Sequence, residues 1–185
     1  LNTAKICRKS ETGSGEQPRR HMAMLQRLYL VRHGETAWSL SGQHTGQTDI
    51  PLTDQGERDA RELAVRLRGM SFSRVFTSPL QRARRTSELA ALNRVAEIEP
   101  DLAEWDYGDY EGKRAEDIRK GRPDWNVFRD GCPNGESPSQ ISKRADRLIA
   151  KLRTLEGDLA IFSHGHFGRV LAARWIGLGI EQAQH

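Results

Sequence analysis

Two short apolar runs, each closed by histidine and glycine, constrain this 185-residue chain more than any other feature. Leu-Tyr-Leu-Val at 28–31 leads into Arg32-His33-Gly34, and Asp158 to Ser163 (DLAIFS) leads into His164-Gly165-His166. Apolar runs this short, stopped by a glycine loop, read as buried strands. Arg74 to Thr77 and Ala96 to Pro100 read as two more. Between them the period changes. Thr53 is placed to cap a helix over 54–69, where Ala60, Leu63, Ala64 and Leu67 recur at helical spacing before Gly69 ends it. Further helices are expected over Pro79–Leu92, over 115–120, from Ser137/Ser139 to about Leu155, and over Gly168–Ile176. Residues 34–53 read as loop, and 121–138 as a Pro- and Gly-rich excursion. Strands alternating with helices predict an α/β fold, a three-layer sandwich with a mostly parallel central sheet flanked by helices.

Residues 1–26 show neither period and are rich in Ser, Gly, Glu and Arg, so they are expected to be a disordered extension before one domain over 27–185. They lack the apolar stretch of a secretory signal, and Glu11 and Glu16 argue against a transit peptide. A start at Met22 or Met24 would fit. The net charge of +4 raises the question of nucleic acid, but residues 1–27 hold six Lys/Arg against two Asp/Glu, leaving 23 of each sign in 28–185. A domain so balanced lacks the basic face that nucleic-acid phosphates demand. No apolar run approaches the ~20 residues of a spanning helix, so no membrane partner is expected. The two cysteines, Cys7 and Cys132, support neither a disulfide framework nor a cysteine metal site, and a reducing cytoplasm fits them. The expected ligand is a small molecule.

In parallel α/β folds ligands bind at the carboxyl ends of strands, where both histidine segments fall. A neutral imidazole is a competent nucleophile toward phosphorus, and Gly34 would leave room for a substrate beside the His33 ring. A transferring phosphoryl group spreads charge over its oxygens and calls for guanidinium forks. Arg32 adjoins the nucleophile, and Arg82 opens the helix after the second strand. Taken singly, each of these residues is more simply a hydrogen-bonded loop histidine or a solvated arginine.

Their joint arrangement carries more. Residues 30–38 (LVRHGETAW), 78–86 (SPLQRARRT) and 162–166 (FSHGH) resemble, in order and spacing, the three signature segments of the histidine phosphatase superfamily, the phosphoglycerate mutase-like proteins. The resemblance runs from about Leu28 to Gly179. It implies the phosphoglycerate mutase-like fold and a phosphohistidine on His33, with Arg32, Arg82 and His164 on the phosphate, His164 counting among the catalytic residues. It implies water as the second nucleophile and neither metal nor other cofactor. Within LAEWDYGDYEG (102–112) the general acid implied is Glu104, with Asp101, Asp106, Asp109 and Glu111 as neighbouring carboxylates and Glu35 in support.

Departures from the pattern bear on substrate. Where many members carry a phosphate-contacting Asn this chain has Ser39, whose hydroxyl replaces one of two hydrogen bonds. Residues 38–46, His166 and the GESP segment at 135–138 look more like the sugar-phosphate branch, including sedoheptulose-bisphosphatase-like proteins, than like the glycolytic mutases. Gln43, Thr45, Gly46, Tyr107, Gly165 and His166 are candidate substrate contacts, with turn capping or packing as the simpler reading. After Gly179 such proteins usually return to the sheet, so a truncated C-terminal end with an open sheet edge is expected.

Three functions compete: hydrolysis of a small phosphorylated metabolite such as a sugar phosphate, mutase-type return of the phosphoryl group to the substrate, and a non-catalytic sensor of phosphorylated ligands. A fourth, His33, His44, His164 and His166 as a metal site, is disfavoured because two guanidiniums beside them would repel a cation. A homodimer is permitted by the charge-balanced surface without being required.

Overall fold

The computed structural model describes residues 27–90 and 95–185. The expected disorder of 1–26, and the end of the helix expected up to Leu92, lie outside the described residues. Strands β1 (Leu28–Arg32), β2 (Arg74–Thr77), β3 (Glu97–Ile98) and β4 (Leu159–Ser163) form one sheet in the order β1-β4-β2-β3. Every pairing is parallel. The helices are α1 (Ala37–Ser41), α2 (Asp54–Arg66), α3 (Gln81–Leu89), α4 (Ala115–Gly121), α5 (Val127–Asp130), α6 (Pro138–Leu152) and α7 (Gly165–Trp175). None of the described helices is long and apolar enough to cross a membrane.

The central strand β4 is buried at all five positions, so its side chains alternate between two apolar layers rather than between core and water. Leu159 and Ile161 join Phe76 in the larger core with Ile141, Leu148 and Leu152 of α6 and Phe167, Val170 and Leu171 of α7. Ala160 and Phe162 join Tyr29, Val31 and Val75 in the smaller core, closed by Leu63 and Leu67 at α2 and Ala90 after α3. These are the three layers of the predicted α/β sandwich.

Local chemistry explains most boundaries. The Thr53 hydroxyl accepts from Gly56 N at the start of α2, and Ser137 with Gln140 forms a capping box on α6. Several expectations need correction: α5 falls inside the excursion expected over 121–138, and β3 keeps only Glu97–Ile98 of the strand expected over Ala96–Pro100. Residues 34–53 contain α1, closed by a box in which Thr36 and Ser39 exchange hydrogen bonds and by Gly42 at φ 81°. Five residues are too few to show an apolar period. Helix α7 begins at Gly165, three residues before the expected Gly168, because a carboxylate 62 and 63 residues away in sequence, Glu104, caps its first turn.

With β4 between β1 and β2, the carboxyl edge of the sheet sets His164 between His33 and Ser78. Backbone bonds from His33 N to Ser163 O (3.0 Å) and from Ser78 N to Phe162 O (2.9 Å) carry the ladder one residue past the strands.

Candidate active site

His33 leaves β1 with its ring Nδ1 2.7 Å from Gly34 O. A carbonyl only accepts, so Nδ1 carries the proton and Nε2 keeps its lone pair. Burial pushes this imidazole down to about 4, outweighing the Gly34 carbonyl that favours the charged ring, and Arg82 and Arg32 press the same way. At neutral pH it is an uncharged ring with a free Nε2. The loop behind it is tied to helix α3. Gly34 N donates to Thr86 Oγ1 at 3.0 Å, which itself donates to Arg82 O at 2.7 Å. The reason for glycine at 34 differs from the expected one: a Cβ there would stand 2.5 Å from Gly56 O in α2, so the close approach is that of a helix backbone rather than of substrate.

Arg82 is fully buried and largely committed. Its Nε donates to His164 Nδ1 at 3.2 Å, Nη1 to Thr48 O at 3.0 Å, and Nη2 to Thr45 O and Gly46 O, each at 3.0 Å. That leaves one of the five guanidinium N–H groups, on Nη1, for an anion. Because Arg82 donates to Nδ1, His164 carries its proton on Nε2, which donates to Ser78 Oγ at 2.7 Å. Both ring nitrogens of His164 are thus engaged. Burial, followed by Arg82, drives its pKa well down, and its ring lies 5.2 Å from that of His33.

Arg32 is the contrast. It is exposed, and among the described residues no acceptor takes a hydrogen bond from it. A Cβ on Gly165 would stand 3.5 Å from Arg32 Nε and 3.8 Å from Glu104 Oε2, so the start of α7 runs between this guanidinium and that carboxylate. Glu104 is buried and held by three backbone amides: Trp105 N and Phe167 N donate to Oε1 at 2.8 Å, and His166 N to Oε2 at 3.1 Å. Burial alone would raise its pKa, but His166 and the amides reverse this and hold it below the ordinary carboxylate value. Since burial also drops His166 to about 4, that ring is neutral at pH 7 and the amides carry the effect. The positive end of α7 acts in the same sense.

Four neighbouring carboxylates are occupied elsewhere. Asp101 pairs with Arg147 at 2.6 Å, Asp106 accepts from Gly108 N at 2.9 Å, Asp109 from Asn134 at 3.0 Å, and Glu35 from the Thr53 hydroxyl at 2.7 Å. Glu111 Oε1 accepts from Gly46 N and Thr48 N at 2.8 and 3.1 Å, holding the loop whose carbonyls receive Arg82.

Of the candidate substrate contacts, Tyr107 and His166 come together, with Tyr107 Oη 2.6 Å from His166 Nδ1. The His166 ring stacks on His44 at 5.9 Å. Gln43 is turned away: its amide donates to Gly112 O at 2.8 Å and accepts from Ser41 Oγ at 2.5 Å. Thr45 donates to Gln43 O at 3.3 Å, and Gly46 is buried, where a Cβ would meet Trp105 O at 2.5 Å. The Ser39 hydroxyl accepts from Thr36 N and donates to Thr36 O at 2.8 and 2.9 Å. Sequence reasoning passed over Ser78, Thr86 and Gly56, although Ser78 and Thr86 bracket the second signature segment.

A half-buried neutral histidine, an arginine with no hydrogen-bond acceptor among the described residues and a buried carboxylate thus meet at this edge of the sheet. The family model of the histidine phosphatase superfamily (branch 1) matches residues 28–185, and the chain belongs to that family as one of its phosphatases. It is similar to an acid phosphatase of Mycobacterium tuberculosis, 46% identical over 161 residues, covering 84% of this chain and 78% of that protein. It is also 40% identical over 194 residues to sedoheptulose 1,7-bisphosphatase of Saccharomyces cerevisiae, covering 86% of this chain and 71% of the yeast protein. A solved structure of an open reading frame product from Mycobacterium tuberculosis superposes with a TM-score of 0.82 at 42% identity, covering 86% of this chain and 84% of the other.

Proposed function

We propose that the chain hydrolyses phosphomonoesters of small metabolites, a sugar phosphate among them, through a phosphohistidine on His33. The observation that carries this is the His33 ring itself, locked by Gly34 O in the tautomer that leaves Nε2 nucleophilic and kept uncharged by burial. Nε2 attacks phosphorus and the ester P–O bond breaks. Arg32 takes the growing charge on the phosphoryl oxygens, joined by the remaining Nη1–H of Arg82 and by His164 once its Nε2–H turns from Ser78 to the phosphate.

Glu104 protonates the departing oxygen. It is ionised in the resting site, so its proton arrives with the substrate monoanion or when the bound phosphate's charge raises its pKa. Water then attacks the phosphohistidine, the Glu104 carboxylate takes its proton, the P–N bond breaks, and inorganic phosphate leaves with His33 restored. The likeness of residues 38–46 and of GESP to the sugar-phosphate branch, together with a relative named as a sedoheptulose 1,7-bisphosphatase, supports the substrate class.

The test is phosphate release from sugar phosphates, phosphoglycerates and p-nitrophenyl phosphate with chelator present, for the chain and for His33→Ala. Release that vanishes in the variant is expected. Isomerised product without free phosphate would establish a mutase, and phosphate binding without turnover a sensor.

A further inference from the structure

The GESP segment contributes nothing to the chemistry above, yet its glutamate reaches the back of the site. Glu136, two residues before α6, and Arg144 within that helix pair through two bonds, Nε to Oε1 at 2.8 Å and Nη2 to Oε2 at 2.6 Å. The Arg144 side chain is only 12% exposed and that of Glu136 19%. An ion pair serving only the surface would stop there. Here the remaining valences of both residues go to the segment that carries Glu104.

Arg144 Nη1 donates to Asp101 O at 2.8 Å and Ala103 O at 2.7 Å, and Nη2 to the carbonyl of Glu104 itself at 3.3 Å. Glu136 Oε2 accepts from Asp106 N at 3.2 Å, and Glu136 O from the indole of Trp105 at 2.9 Å. A backbone bond from Glu136 N to Asp106 O at 2.8 Å completes the seam. Gly135 makes it possible, since a Cβ there would lie 2.3 Å from Asp106 O. The Arg144 guanidinium also lies 4.3 Å from the centre of the Phe167 ring. Trp105 and Phe167 supply two of the three amides that hold the Glu104 carboxylate.

We infer that Glu136 and Arg144 are positioning residues for Glu104: by gripping its carbonyl, both flanking segments and the ring of Phe167, they hold the acid's carboxylate at the leaving-group side of His33. Neither touches the reacting phosphate. This rests on Glu104 being the general acid. The pair therefore governs leaving-group protonation and leaves the nucleophile alone. Bidentate geometry is essential, because the same planar fork serves a carboxylate on one edge and three carbonyls on the other, which an ammonium cannot do.

The test compares kcat/KM, which reports formation of the phosphohistidine, for an alkyl phosphate such as glycerol phosphate and for p-nitrophenyl phosphate, whose phenolate leaves with little proton assistance. Arg144→Lys and Glu136→Gln are measured beside Glu104→Gln. Both positioning variants should lose about 10- to 100-fold on the alkyl ester and less than about threefold on p-nitrophenyl phosphate, a fraction of the Glu104→Gln discrimination. The p-nitrophenyl rate doubles as the check on folding. Equal losses on both esters in Glu136→Gln and Arg144→Lys, with Glu104→Gln still discriminating, would overturn the positioning role alone. No discrimination in Glu104→Gln would remove the acid assignment and this inference with it.

Discussion

Acidification from pH 7 to 4.5 should strip this protein of stability before its carboxylates begin to protonate. Burial holds His33 and His166 at about 4 against an ordinary 6.5. His44 and His164 are lowered as well, burial again first among the causes. A histidine whose pKa falls on folding binds its proton first in the unfolded chain. Between pH 6.5 and about 4 the unfolded state therefore holds more protons, stability falls as pH falls, and the loss levels off below about 4. For His33 and His166 the gap from 6.5 to about 4 corresponds to roughly 3 kcal/mol each at its lower end. Together they remove roughly 6 kcal/mol, a large part of the ~5–15 kcal/mol typical of a domain. The carboxylates come later. Glu104 and Asp130, lowered from 4.5 and 3.8, give up their stabilisation only below those values, Asp130 near 2 through its Arg129 pairing. The assay is urea unfolding followed by tryptophan fluorescence at closely spaced pH values, Trp105 and Trp125 being buried. Near pH 5 these two rings alone contribute about 2.4 kcal/mol per pH unit to the slope, and His33→Gln should remove about half of that. Stability that is flat from pH 6.5 to 4.5, or an NMR titration of the His33 ring with a midpoint near 6.5, would refute the reasoning.

Two further perturbations probe the frame around the nucleophile. Gly34→Ala places a methyl 2.5 Å from Gly56 O, so either α2 or the His33 loop must move; a destabilisation of about 2 kcal/mol or more with a matching fall in kcat should appear in unfolding and turnover assays. Ser78→Ala removes the partner of His164 Nε2–H at 2.7 Å, which should cost about 1–3 kcal/mol in thermal unfolding yet tighten inorganic phosphate in a competition assay, because the anion then satisfies an orphaned donor. Weaker phosphate binding by Ser78→Ala would show that His164 does not turn to the phosphate.

The chemistry-bearing segments were legible because they are local. Strand β2 matches Arg74–Thr77 residue for residue, and β1 and β4 differ from their predicted runs by one residue at one end. Strand periodicity and a following glycine are properties of a few adjacent residues. The same holds for the Thr53 and Ser137 caps, where an oxygen bonds an amide three residues on. From strand ends alone, His33 and His164 belong at one edge of a parallel sheet, and there they stand, rings 5.2 Å apart.

What the linear chain by itself did not determine is how each polar group spends its hydrogen bonds. Arg82 reads as a phosphate fork until three carbonyls from 45–48 and a histidine 82 residues away take four of its donors. Helix α7 reads as beginning at Gly168 until Glu104, on a loop 62 and 63 residues before the amides it accepts from, caps it from Gly165. Gly34 reads as space for a substrate until Gly56 O fills that space. In each case the competing partner is distant in sequence and is delivered only when the β1-β4-β2-β3 order is assembled. The sequence determined which residues bring nucleophile, cation and acid to the sheet edge; the tertiary structure decided which donors remain free for a ligand, because burial obliges every other polar group to find a partner within the fold.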